Sequence, residues 1–430
     1  MPVTKKIIFF SSVPIIIVGI YISLLGINFP FWDQWEVIPL LMKQKEGLLT
    51  FADFFAQHNE HRPLFPRLIW IALAGVTHYN INAQLWINLL IVIGTFIFFI
   101  NRSIKTWAKF NITVPPFTIP LISFLVFNLG QRESWLQGIQ TIMFLEVACV
   151  VIGLFLLAEN ENWKKFFLAS LLGIIASFSM ASGMLYWFVG GLVLLISSPP
   201  RKNKLKIALW ILTSILTIGF FLRNWMPTGH LNINYVITHI LEWLIWVLNF
   251  LGAPLITHWS IAWVFGLLSV ILYILIIGYT VRNDKWRELI PYFAIVLFIL
   301  ITAISISFGR IRMGLPQSTV SRYLTISVWY WATLLSLLPF LSITKIYHHA
   351  LYISITLSLG VLAVIGGWRG YVSLYQRILP AYQMVTSGQP IPDDELIQIS
   401  PLPDIVGDRL NFLCENKLSV CADIQYNIKP

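Results

Sequence analysis

Eleven apolar runs, near residues 7–27, 82–100, 116–130, 139–158, 166–180, 183–198, 207–222, 260–281, 289–308, 323–341 and 350–367, recur along this chain. Each approaches the ~20 residues that a helix needs to cross the ~30 Å hydrocarbon core of a bilayer. A peptide group has no water to bond there, so such runs must satisfy their own backbone as helices. The pattern predicts an all-α polytopic membrane protein of about eleven spans. Composition agrees, because 57% of the 430 residues are hydrophobic and 11% are charged, against ~25% charged in an ordinary soluble domain. The 18 tryptophans suit aromatic belts at the two interfaces. The first run follows Lys5 and Lys6. It is too long for a signal-peptide core and no small-residue cleavage site follows, so it reads as a retained helix.

Charge then orders the loops. Lys5–Lys6 and the stretches 101–109, 162–165, 201–206, 282–288 and 344–349 are short and basic and alternate correctly with eleven spans. The positive-inside bias puts them in the cytoplasm, with the N-terminus. A tail from about 368 to 430 then lies outside, beyond a membrane domain of residues 1–367. The net charge of +10 follows from this topology and from an unusual residue split, and does not call for nucleic acid. The basic loops hold eleven lysines and four arginines. The opposite side holds Arg62, Arg67, Arg132, Arg223, Arg310, Arg312, Arg322, Arg369, Arg377 and Arg409 with only four lysines. Either residue orients a span, but arginine suits bidentate contact with phosphate or carboxylate. Contact with lipid headgroups is the plainer explanation.

The loop after the first run is the richest in ionisable groups. "FWDQWE" places Asp33 and Glu36 three residues apart, on one face of a helix. Two carboxylates at a low-dielectric boundary raise each other's proton affinity, which suits a general base. "QHNEHRPLFPR" places His58, His61 and Arg62 on one polar face of a short expected helix, with Glu60 and Arg67 beside them and Pro63 and Pro66 to end or restart it. His58 and His61, with Glu60 or Asp33, could ligate a divalent cation, although the spacing matches no strong zinc motif. Pairing of Arg62 or Arg67 with Asp33 or Glu36 would account for the same charges without a substrate. A second loop offers Arg132, Glu133, Gln137 and Gln140. Amides and Trp135 there suit sugar hydroxyls and sugar faces, or an ordinary interface. A third, at 309–327, carries Arg310 and Arg312 and then "STVSRY", where Arg322 and Tyr323 open a span. Arginine at a helix start makes an anion site, and an arginine this near the apolar slab needs a partner. The segment 223–258 reads as a loop with one interfacial helix bearing Trp243 and Trp246.

"FWDQWE" directly after the first span, followed by "FADFFAQHNEHRPLFPRL", resembles the GT-C glycosyltransferases. Their first outer loop opens on an acidic motif and is built from short helices lying on the membrane. The resemblance covers roughly residues 1–367. It implies an inverting transfer, at the outer face of the plasma (inner) membrane, of a sugar from a polyprenyl-phosphate donor to an envelope lipid or glycan acceptor. Asp33 would deprotonate the acceptor and Glu36 would orient it or tune Asp33. Arg322, with Arg310 or Arg312, would hold the leaving phosphate. His58, His61 and Arg62 would shape the cleft or assist with the phosphate.

Other readings fit some of the same residues. A transporter or flippase would place charge at midspan, where Glu146 is the one clear acid. A scaffold for polysaccharide assembly would tolerate loss of Asp33 while needing its loops for partners, and a ligase would keep its charged groups in a large late loop. The tail begins "WRGYVSLYQR" and could cap the cleft. Its Cys414 and Cys421 are either a disulfide, if that end meets an oxidising compartment, or two thiols. Cys149 lies in an apolar run as a core residue.

Overall fold

The computed structural model describes residues 4–159, 162–197, 200–227, 233–341 and 345–422. The tail's last residues, 423–430, and the side chains of Arg201, Lys202 and 345–349, which belong to two of the expected basic loops, lie outside them. In chain order the helices are α1 (Lys5–Leu25), α2 (Ile38–Lys45), α3 (Phe51–Phe55), α4 (Leu64–Thr77), α5 (Ile81–Lys109), α6 (Thr118–Val126), α7 (Arg132–Leu136), α8 (Thr141–Ala158), α9 (Trp163–Ser177), α10 (Leu185–Ser197), α11 (Pro200–Leu222), α12 (Ile233–Thr238), α13 (Ile240–Gly252), α14 (Trp259–Arg282), α15 (Ile290–Arg310), α16 (Leu324–Leu337), α17 (Lys345–Ser373), α18 (Leu379–Thr386), α19 (Asp393–Ile399) and α20 (Val406–Glu415). Short 3-10 turns join several of them. Among the described residues there is no strand, and eight helices are long and apolar enough to cross a membrane.

The eight arise from α1, α5, α8, α11, α14, α15, α16 and α17. The other three expected spans also become helices, but short ones. α6, α9 and α10 have 9, 15 and 13 residues, or ~14, 22 and 20 Å. Pro115 and Pro116 delay the start of α6. At the end of α9, Ser177 and Ser179 bond back to the carbonyls of Gly173 and Ile175, and a 3-10 turn follows at Ala181–Met184. The expected count of about eleven therefore resolves into eight full-length helices and three shorter ones.

Residue type sorts the helices into layers. α16 is buried throughout. Its Ser, Thr, Trp and Tyr side chains find partners in the bundle: Trp331 Nε1 donates to the Leu251 carbonyl at 2.7 Å, and Ser269 Oγ to Tyr330 Oη at 3.1 Å. Polar side chains inside a bundle pay this way by bonding across helices. α11 and α14 carry mainly Ile, Leu and Phe and leave much of that surface exposed, as lipid-facing helices do. The expected interfacial helix of 223–258 is α13, preceded by α12; residues 228–232 fall outside the description. One face of α13 is packed inside the protein. Trp246 is fully buried, and a Cβ at Gly266 of α14 would stand 2.0 Å from the Leu248 carbonyl oxygen.

Ion pairs mark one end of the bundle. Arg102 and Lys165 both meet Glu159, Lys109 meets Glu288 at 2.7 Å, and Lys206 lies 5.2 Å from the Trp163 ring. Four of the basic loops therefore gather together. α5 runs from that end to the other, ~43 Å by its 29 residues. At the far end a second hydrophobic core joins the first loop to the tail. It includes Phe29, Trp35 and Ile38 with Ala381, Val406 and Leu413. A disulfide joins Cys414 to Cys421, whose Cα atoms are 4.8 Å apart. No boundary falls at residue 368. α17 runs through a π-turn at Leu374–Ile378 into α18. The apolar helix spans 37 residues, Ala350–Thr386, about 55 Å and far longer than the ~30 Å slab.

Candidate functional site

A cavity of about 1220 Å³ opens at the end of the bundle away from the clustered ion pairs. Its walls come from the first loop, α7 and the turn after it, the ends of α11 and α15, the start of α16 and the stretch around the π-turn. Every sequence-predicted site residue except Arg62 and Arg312 lies on this wall. Residues more than 300 positions apart thus share one space.

Asp33 sits in a 3-10 turn, Trp32–Val37. Side chains three apart eclipse in such a turn, so Asp33 and Glu36 do share a face. The other face is anchored: Trp35 is fully buried and Val37 is 4% exposed. The Gln34 side chain accepts from the Phe31 N–H at 3.1 Å, and the Gln34 carbonyl accepts from the Tyr79 hydroxyl at 3.0 Å. Asp33 keeps a side chain 43% exposed to the cavity, with His58 Nε2 3.8 Å from its Oδ2. That distance is an electrostatic contact, slightly long for a formed hydrogen bond. The His58 imidazole holds the Asp33 carboxyl below the usual range, against the opposing pull of burial, and Arg322 and His61 add to it.

The carboxylates separate in role. Glu36 is tied to the tail: Arg409 Nη1 lies 3.1 Å from its Oε1 and donates to the Trp35 carbonyl at 2.7 Å. The expected catalytic partner of Asp33 is therefore an anchor for the cap, through an arginine 373 residues away.

The segment 56–63 is not the helix that its spacing predicted. His58 and His61 exchange backbone hydrogen bonds at 2.9 Å each way. Asn59, at φ +49°, makes the tight turn, as asparagine tolerates that region. The two imidazoles then take separate partners. His61 Nδ1 accepts from the Ala181 N–H at 3.2 Å, and its Nε2 lies 4.0 Å from Glu60 Oε2. Burial pushes the His61 imidazole below its usual range, so it is neutral at pH 7 with its proton on Nε2. Glu60 Oε1 is paired with Arg310 at 3.1 Å. Among the described residues no three His, Cys, Asp or Glu side chains converge as a metal site. The expected divalent cation on His58 and His61 does not fit this arrangement, because one ring faces Asp33 and the other is bound to a backbone amide.

Two arginines of the first loop are structural. Arg62 is 4% exposed and donates to the carbonyls of Phe221 at 2.7 Å, Phe55 at 3.0 Å and Arg223 at 2.6 Å. It serves carbonyls at the C-terminal ends of α3 and α11, which have no helical donor, and stands outside the cavity lining. Arg67 lies on the cavity wall, but its Nη1 serves the carbonyls of Asp53, Phe54 and Ala56 at the end of α3. Thr50 and Asp53 cap the start of α3, and Lys43 of α2 meets Asp53 at 2.5 Å, so the loop is clamped from both sides. Arg312 is exposed and outside the cavity.

Arg322 is different. It lines the cavity, its guanidinium stands 5.6 Å from the Tyr323 ring, and among the described residues it has no hydrogen bond or ion pair. Tyr323 itself is packed against Trp246 and Phe250. Arg132 meets Glu133 at 3.5 Å, and Gln137 accepts from Gln140 at 3.1 Å, all on the same wall. Trp368, Arg369, Gln376 and Arg377 line the cavity too. Reading the tail as a separate unit hid them; an aromatic and arginine run continuing an apolar helix was the available signal. Below the floor, Glu146 is fully buried and accepts from the Ser182 hydroxyl at 2.6 Å, while Ser182 faces the cavity.

The arrangement thus offers a half-exposed ionised carboxylate, a neutral imidazole and an unpartnered guanidinium around one space at the end of a membrane bundle. Comparison with protein-family models, curated proteins and solved structures finds no match.

Proposed function

We propose that this chain is a GT-C-like membrane glycosyltransferase that moves a sugar from a polyprenyl-phosphate donor to an envelope lipid or glycan acceptor. The observation that carries the reading is Asp33, directly after α1, facing the same cavity as the unpartnered Arg322. In the reaction the acceptor hydroxyl oxygen attacks the anomeric carbon while its proton passes to Asp33. The bond from that carbon to the phosphate oxygen breaks, its electron pair leaves with the phosphate, and the configuration inverts. Asp33 is ionised at neutral pH and is a weak base, so it acts as the leaving group departs and not before. Arg322 meets the charge that develops on the phosphate. Glu60 holds Arg310 nearby, and His58 keeps Asp33 oriented.

The short helices α2 and α3 in the first loop suit this class. The clustered basic loops at the opposite end of the bundle support a cytoplasmic N-terminus. The Cys414–Cys421 disulfide supports an oxidising compartment for the cavity side, in keeping with work at the outer face of the plasma membrane. The test is transfer from a panel of radiolabelled polyprenyl-phosphate sugars in membranes, comparing the intact chain with Asp33→Asn at matched expression. Loss of transfer in the variant, with donor binding retained, is the expected result. Donor binding without turnover in both proteins would favour a transporter or flippase.

A further inference from the structure

We propose that Arg132, Arg369 and Arg377 form a second anion site, beside the Arg322 sector, which takes the phosphate headgroup of a membrane lipid. All three line the cavity. Against their three positive charges stands one carboxylate, Glu133, 3.5 Å from Arg132. Among the described residues Arg369 and Arg377 have no hydrogen bond or ion pair. Burial disfavours the charged form of Arg132, and Arg369 and Arg377 stand close enough to add to this, against the pull of Glu133. Like charges gathered on one wall are a destabilising arrangement that a bound phosphate would relieve.

The helix geometry brings the arginines together. Arg369 and Arg377 are eight residues apart, so in a straight α-helix they would point roughly 80° apart at ~100° per residue. The π-turn at Leu374–Ile378 has wider turns, which takes up about that rotation. The helix is also held at close range. A Cβ at Gly370 would lie 1.7 Å from the Tyr21 hydroxyl of α1, and one at Gly366 would lie 2.2 Å from the Leu129 carbonyl oxygen. Only glycine permits these approaches.

The surroundings select a lipid over a free anion. Trp368, Tyr371 and Tyr375 are 64%, 40% and 49% exposed on the same helix. Their rings follow one another at 5.7 and 4.3 Å. Such amphipathic rings sit at headgroup depth in a bilayer. Leu25 at the end of α1 and Leu136 of α7 line the cavity beside the arginines and provide an apolar wall for the first methylenes of a chain. The site requires no sugar transfer, so it stands or falls apart from the enzyme reading.

The test is equilibrium binding of radiolabelled dodecyl phosphate to the full chain in a neutral maltoside detergent. Arg369→Gln/Arg377→Gln removes two exposed arginines of the site. Arg223→Gln/Arg312→Gln removes the same charge outside the cavity. Saturable binding is expected, weakened at least about tenfold in the first pair, the least that losing a charge-assisted hydrogen bond gives, and within about twofold of wild type in the second. Both pairs should elute like the parent, and neither should melt below it. Equal weakening by both pairs would reduce the effect to diffuse charge and overturn the site, as would no weakening by the first. Inorganic phosphate competing as well as dodecyl phosphate would overturn the lipid assignment.

Discussion

Replacing Arg62 with methionine tests whether the most charged stretch of the first loop is ligand machinery or scaffold. Three carbonyls accept from this one guanidinium, and its Cζ also lies 4.5 Å over the Phe55 ring. The Phe221 contact is buried and leaves an orphan carbonyl when cut, which costs ~1–3 kcal/mol. The Phe55 and Arg223 contacts are partly buried, so water recovers much of each and ~0.5–1 kcal/mol apiece is a fair loss. Methionine restores part of the packing and avoids burying a charge, which returns about 1 kcal/mol. The net expectation is a loss of ~1–4 kcal/mol, enough to lower the melting temperature by several degrees and still leave a folded protein. Arg62→Lys should recover less than half of this, because one ammonium cannot serve three carbonyls in a fork geometry. The assay is thermal unfolding in detergent followed by size-exclusion chromatography. A methionine variant that melts like the parent but loses affinity for a phosphate-bearing lipid would refute the scaffold role. It would return Arg62 to the cleft.

The contact between His58 and Asp33 predicts a pH effect. His58 is the largest cause of the lowered Asp33 value, so His58→Ala should raise it and shift the acid limb of any transfer profile to higher pH; an unmoved limb would remove His58 from the site. The sign for stability follows from the same shift: a depressed carboxyl stabilises the fold above its unfolded pKa of ~3.9 and loses that contribution only as pH falls through the lower folded value, so Asp33→Asn should melt below the parent between pH 5 and 7 and the difference should shrink below about pH 4. At the cap, Arg409→Gln removes both the Trp35 carbonyl bond and the Glu36 pair, whereas Glu36→Gln removes only the pair. Half-exposed pairs contribute ~0–1 kcal/mol, so limited proteolysis at residues 387–402 should speed up more in Arg409→Gln than in Glu36→Gln, and equal rates in both variants and the parent would mean that the cap is held by its apolar core alone.

Hydropathy is local, and what is local could be read directly from the chain. All eleven apolar runs became helices where they were expected, and four of the basic loops that interrupt them gathered at one end. Asp33 and Glu36 could be placed on one face because three-residue spacing has that meaning in any tight helix. Span length was less legible, since proline and serine pairs shortened three runs without changing their hydropathy. Which charges remain available was not legible at all. Arg62 answers carbonyls about 160 residues away, Glu36 an arginine 373 away and Glu60 an arginine 250 away. An arginine in a sequence carries the same five donors whether a carbonyl, a carboxylate or nothing faces it, so only the fold could decide that Arg62 and Arg67 are bound while Arg322, Arg369 and Arg377 stay open. The same holds for the helix through residue 368, where packing of Gly366 and Gly370 against Leu129 and Tyr21 carries an apparent tail into the cavity wall. Bilayer transfer dictates the helices residue by residue, whereas the site is made of pairings whose partners the chain brings together only after the bundle has closed.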